Sequence, residues 1–177
     1  MKLEKVKVNI YLIRHGEKNP DGFSLSVKGK KQVEHLFKKF KKIKFDKIYS
    51  SDLNRCVETA KIVSKYHKKD VIYDKNLREV GGNVKDFFEK FPKEIKNIRS
   101  FWNKVTKDKG NILIVSSGNL NRILISIALK IKPINSRFVQ NPTGLTRFEY
   151  INKNKTRIVC VNDLSHLPEK LKIRQAY

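Results

Sequence analysis

Cysteine is scarce in this chain: two in 177 residues, Cys56 and Cys160, with no CxxC spacing and no paired framework. That excludes a disulfide scaffold, and reduced, packed thiols in a helix and a strand are expected. Long apolar runs are also missing. The stretch ILISIAL falls far short of the ~20 residues that span a bilayer. Lys2, Glu4, Lys5 and Lys7 break any apolar run at the start, so neither a signal peptide nor a membrane anchor is expected, and the cytoplasm is the expected location. There is no linker, repeat or low-complexity tract, and the length suits a single domain, 1–177, with one substantial core.

Acidic residues are few as well. Against 17 Asp and Glu stand 40 Lys and Arg, a formal net charge of +23. Such a chain attracts anions at long range, whether phosphorylated substrates, acidic proteins or nucleic acid. Yet the excess is mostly lysine spread over helix faces, not gathered with aromatics in one RNA-reading motif. In the helix expected around 27–44, Val33, Leu36, Phe37, Phe40 and Ile43 form a core stripe while Lys28, Lys31, Lys38, Lys39 and Lys42 flank it. A solvated lysine surface is the plainer reading, with nucleic acid held only nonspecifically at low salt.

What the chain does have is β-α alternation. Strands are expected near 7–13, 46–50, 70–74, 111–116, 144–151 and 156–162, and helices near 27–43, 53–67, 93–107 and 119–131. This pattern predicts an α/β fold with a largely parallel sheet. Pro92 suits the first turn of the helix that repeats Ile95, Ile98, Trp102 and Val105, a stripe best read as core.

The most informative stretch is IYLIRHGEKNP, residues 10–20. Tyr11, Leu12 and Ile13 lead into His15, which puts an imidazole at the carboxyl end of a buried strand, where open α/β sheets hold their ligands. Arg14 offers planar, paired donors suited to phosphate oxygens, and Gly16 lets the backbone turn and approach closely. In IYSSDLNRCVETA, residues 48–60, Asp52 reads as a helix N-cap and Arg55 falls in the first turn, where it adds to the positive end of the helix dipole. LREVGG places Glu79 in a glycine-rich loop. NILIVSSGNLNRILISIAL repeats the order of strand, small-residue turn and helix.

Together these segments resemble the histidine phosphatase superfamily, the phosphoglycerate mutase-like or RHG enzymes, over nearly the whole chain and in order. LIRHGE resembles the nucleophile motif, LSVKGKKQ the start of the following helix, SSDLNRCVETA the second-arginine motif, LREVGG the acid–base loop, and NPTGLTRFEY and CVNDLSHL the closing strands. The resemblance implies a phosphoglycerate mutase-like, three-layer α/β sandwich and a phosphomonoester hydrolase that needs no metal or other cofactor. It further implies that His15 is the nucleophile and becomes phosphohistidine. Arg14 and Arg55 would clamp the phosphoryl oxygens with help from Gly118. Glu79 would protonate the leaving oxygen and then activate water. Asn19 and Ser24 are weaker phosphate-binding candidates, at an unusual offset from His15. The implied partner is a phosphorylated small molecule or a phosphoprotein.

The chain departs from the family at Ser117, which stands where the resemblance implies a second catalytic histidine. A hydroxyl is shorter and uncharged but still a donor. Losing a preorganised donor of this kind costs roughly 3–4 kcal/mol, on the order of 100- to 1,000-fold in turnover. Three origins fit Ser117: an introduced change that traps a ligand, a natural change that slows or retunes an enzyme, or a degenerate member that binds phosphate without turnover. The alternatives to a hydrolase are therefore a non-catalytic phosphate- or phosphoprotein-binding module on the same fold and a basic nucleic-acid binder.

The other histidines have plainer readings. His35 and His67 sit among lysines and are expected to be solvated or partly packed, and His166, in VNDLSHL, matches a family ending with a structural role. Between Glu79 and Asn111 lie only about thirty residues, which leaves little room for a large lid. That favours an open site like that of the short, nearly lidless members. Phe87, Phe88 and Phe91 either pack on the core or close over the pocket, core burial being the plainer reading.

Overall fold

Strand β1 (Val8–Arg14) is buried on both sides, and its alternation divides the interior in two. Val8, Ile10 and Leu12 face one apolar cluster, while Tyr11 and Ile13 face the other. β4 (Gly110–Ser116) does the same with Ile112 and Ile114 against Leu113 and Val115. Runs of β-branched and large apolar residues with no polar face are what central strands of a covered parallel sheet require. The computed structural model describes residues 5–133 and 138–173.

The sheet also contains β2 (Lys47–Ser50), β3 (Val71–Tyr73), β5 (Leu145–Asn152) and β6 (Lys155–Asp163), in the order β3-β2-β4-β1-β5-β6. The β3/β2, β2/β4 and β4/β1 pairs are parallel, and β5 and β6 add antiparallel strands at one side. Arg14 lies opposite Ser116, and Ser50 opposite Val115. Three strands thus end level, so their following loops leave the sheet at the same edge.

Helices α1 (Val27–Phe40) and α2 (Asn54–His67) cover one face, and α3 (Val84–Lys90), α4 (Pro92–Val105) and α5 (Gly118–Leu129) cover the other. This is the expected three-layer α/β sandwich with a mostly parallel sheet. On the first face Tyr11, Phe40 and Phe45 meet edge to face. On the second, Trp102 of α4 meets Phe148 of β5 with ring centroids 5.5 Å apart. Truncating a fully buried strand residue such as Leu12 to alanine would cost about 2–5 kcal/mol. No helix among the described residues is long and apolar enough to cross a membrane.

Most boundaries shift by one or two residues, and two departures are larger. α1 stops at Phe40, before the expected 43, and Ile43 turns back to donate to the Phe40 carbonyl. The Phe-rich segment forms its own helix, α3, because the Asn83 side chain caps it by accepting from the Lys85 and Asp86 amides. Phe91, held out of helical geometry before Pro92, ends it. Phe87 and Phe88 are half-buried against the α4/α5 core, whereas Phe91 is exposed and stacks on Phe87.

Candidate active site

The loop after β1 is fastened on several sides. His15 donates its amide to the Ser116 carbonyl, extending the β1–β4 ladder by one step. Gly16 faces Gly29 of α1: a Cβ on Gly16 would sit 2.7 Å from the Gly29 carbonyl oxygen, and one on Gly29 would overlap the Glu17 backbone. Only glycines allow this approach. The Gly16 amide bonds Thr59 of α2 at 3.2 Å and the Glu17 amide bonds Gln32 of α1 at 2.8 Å. Thr143, at φ +57°, donates its amide to the Arg14 and His15 carbonyls. His166 Nε2 lies 3.1 Å from the Thr143 hydroxyl.

These restraints fix the His15 imidazole, which is 2% exposed. Its Nδ1 is 2.6 Å from the Gly16 carbonyl oxygen. A carbonyl only accepts, so Nδ1 carries the proton and Nε2 holds the lone pair. Nε2 in turn accepts from Arg55 Nε at 3.0 Å. Burial pushes the His15 pKa down to about 3, with the Arg14, Arg55 and Lys18 charges acting in the same direction and the Gly16 carbonyl opposing them. The ring is therefore neutral at physiological pH.

Arg55, in the first turn of α2, also donates Nη1 to the Gly22 carbonyl at 3.1 Å. Arg14, the last residue of β1, donates Nη1 to the Gln140 carbonyl at 2.6 Å. Its guanidinium lies against the start of α5, where a Cβ on Gly118 would come within 3.7 Å of it. Glu79 reaches the same helix end: Oε1 accepts from the Asn119 amide at 3.1 Å and the Leu120 amide at 3.4 Å. Asn119 returns the contact by donating Nδ2 to the carbonyls of Val80 and Gly82.

Ser117 is the N-cap residue of α5, yet its hydroxyl makes no capping bond. The amides it would cap are those taken by Glu79. The hydroxyl lies instead 3.8 Å from Cys56 Sγ, and both residues are fully buried. Burial pushes the Cys56 thiol up to about 11, which makes it an inert neighbour.

Thus Arg14, His15, Arg55, Glu79, Ser117 and Gly118 all lie at the level ends of β1 and β4 and the starts of α2 and α5. Asn19 and Ser24 are spent on each other, side chain to side chain at 2.9 Å. Asp52 is a correction: α2 is capped at Leu53 without a side-chain bond, and Asp52 instead takes both Nε and Nη2 of Arg78 at 2.7 Å. A two-pronged charged donor outcompetes a single amide, and it holds the Asp52 carboxyl below its ordinary range.

Sequence reasoning did not single out Thr59, Thr143, Asn119 or Lys18. Asn119 was open to detection as the residue following Ser117 and Gly118, but the threonines act through contacts distant in sequence. A cavity of about 170 Å³ adjoins the loop after β1, lined by Arg14, His15, Glu17, Lys18, Pro142 and Ile173. Another of about 280 Å³ lies beside Glu79, with Val80, Phe87 and Ile98 in its wall.

Known proteins resemble this chain in sequence over part of its length and in fold over most of it. A 2,3-bisphosphoglycerate-dependent phosphoglycerate mutase of Thermoplasma acidophilum is 36% identical over 80 residues, a segment covering 40% of this chain and 40% of that protein. Among solved structures, an Entamoeba histolytica phosphoserine phosphatase mutant in complex with phosphoserine superposes with a TM-score of 0.74 at 21% identity, covering 91% of this chain and all of the other. A Bacillus anthracis phosphoglycerate mutase gives 0.70 at 24% identity, covering 92% and 96%. At these identities the two structures attest the fold. Residues 10–103, which include Arg14, His15, Arg55 and Glu79, match the sequence profile of a single family. The chain belongs to the histidine phosphatase superfamily, branch 1.

Proposed function

We propose that this protein is a metal-independent phosphomonoester hydrolase that works through a phosphohistidine on His15. The observation that carries the reading is the tautomer of His15: Nδ1–H is tied to the Gly16 carbonyl, and the Nε2 lone pair points at Arg55. A phosphoryl group drawn between Arg14 and Arg55 meets that lone pair. Nε2 attacks phosphorus and the bond to the leaving oxygen breaks, with Glu79 supplying the proton. Glu79 then takes a proton from the water that attacks phospho-His15, releasing inorganic phosphate and the free imidazole. The two guanidiniums offset the charge on the equatorial oxygens.

Hydrolysis is favoured over mutase chemistry because the residues between Glu79 and β4 are used in α3 and α4, which pack on the sheet. A mutase must keep water from its intermediate, and an open site does not. Substrates would be phosphorylated small molecules or phosphoprotein side chains, met in the cytoplasm. The test is hydrolysis of an aryl phosphate in chelator, beside His15→Ala. Turnover that vanishes with His15 supports the reading, and turnover equal in both proteins sinks it.

One observation favours a second reading, a phosphate-binding module without turnover. The Ser117 hydroxyl is fully buried and lies 3.8 Å from Cys56 Sγ. This reading expects inorganic phosphate to raise the melting temperature with no hydrolysis, an effect lost in Arg14→Ala and Arg55→Ala.

A further inference from the structure

We propose that Lys18 is a third phosphate-contacting cation of this site, supplying the positive charge that Ser117 does not. The inference rests on the phosphoryl site assigned above. A phosphomonoester brings a double negative charge, and the two guanidiniums approach it from β1 and α2. The residue after β4 contributes no charge, and its buried hydroxyl lies 3.8 Å from Cys56 Sγ.

Lys18 is well placed for the task. It lines the cavity of about 170 Å³ whose wall also includes Arg14 and His15. Its stem folds over Gly22, whose φ is +75°, and Nζ lies where a Cβ on Gly22 would come within 3.3 Å. Gly22 is the residue whose carbonyl accepts Arg55 Nη1. The ammonium and the Arg55 guanidinium therefore flank one small residue, Gly22.

The charge is also uncommitted. Lys18 is exposed and forms no ion pair among the described residues. The nearest carboxylate in the cavity wall belongs to Glu17, whose Oε2 accepts the Ser26 hydroxyl at 2.8 Å. The surrounding loop is held in shape without Lys18's amine, by the bridge between Lys18 and Leu25 and the Asn19–Ser24 bonds. A bound phosphoryl group would meet a mobile cation on a four-carbon stem, with three donors to place on its oxygens.

The test measures binding of inorganic phosphate by calorimetry to the wild-type chain, Lys18→Met, Lys18→Arg and Lys31→Met, the last an exposed lysine on α1. Loss of a charged hydrogen bond predicts about 10- to 100-fold weaker binding in Lys18→Met. Lys18→Arg should stay near wild type and Lys31→Met should equal it. The loss should persist at high salt, where long-range attraction is screened. Lys18→Met binding within twofold of wild type overturns the proposal, as does a loss that high salt abolishes or that Lys31→Met reproduces. Phosphate binding that depends on Lys18 but comes without hydrolysis would sink the hydrolase reading and leave this one standing. A wild-type chain that binds no phosphate would sink both.

Discussion

Glu79 caps the helix that Ser117 begins. Its Oε1 accepts from the Asn119 and Leu120 amides of α5, so the carboxylate proposed as the acid–base group also closes a helix end. The two roles separate by substitution. Glu79→Ala should lose a cap, about 1 kcal/mol of stability. Glu79→Gln keeps a carbonyl oxygen there and should melt close to wild type while losing hydrolysis. Equal melting of the two variants would contradict the capping role.

Ser117→His should raise aryl phosphate turnover on the order of 100- to 1,000-fold, the worth of a preorganised donor. Ser117→Ala should change little, because the hydroxyl is buried against Cys56. A histidine variant no faster than this chain would refute the idea that Ser117 limits it.

Acid should weaken the fold through two histidines. The His15 pKa lies at about 3, below its ordinary 6.5, so the unfolded chain binds a proton that the folded chain refuses. That contribution is complete above pH 6.5 and is lost as pH falls towards 3. His166, pushed down to about 4 by burial, acts with the same sign. Melting temperatures taken from pH 7 to pH 4 should fall less steeply for His15→Gln or His166→Gln than for wild type. Parallel slopes would count against the buried, neutral rings.

Gly29→Ala should damage the active site from a distance. The added methyl would overlap the Glu17 backbone and push the loop carrying His15 off α1. Overpacking of this kind costs about 1–3 kcal/mol. Activity should fall further than stability alone explains, read as reduced turnover at temperatures where the protein remains folded. Unchanged turnover would mean that the loop tolerates the shift.

The layered fold was legible because β1 and β4 are apolar on both faces and the helices between strands keep a regular stripe. His15, Arg14 and Arg55 were legible because each follows a strand or opens a helix within a few residues. Contacts set by distant partners were not. Asp52 reads as a cap until Arg78 arrives from another loop, and nothing local tells that Glu79 would take the amides beside Ser117. The break between α3 and α4 had a local signal, Phe91 before Pro92, but the Phe-rich pattern on either side reads equally well as one core segment.

The chain has a single tryptophan, Trp102, packed on Phe148 in the α4/α5 layer. Its emission reports one side of the sheet only. The α1/α2 layer, which grips the His15 loop through Gly29 and Thr59, carries no indole, so loosening there would go unseen by tryptophan fluorescence while abolishing the proposed hydrolysis. Melting curves read by fluorescence and by residual activity would then part company, and the gap between them would measure how independently the two halves of the core come undone.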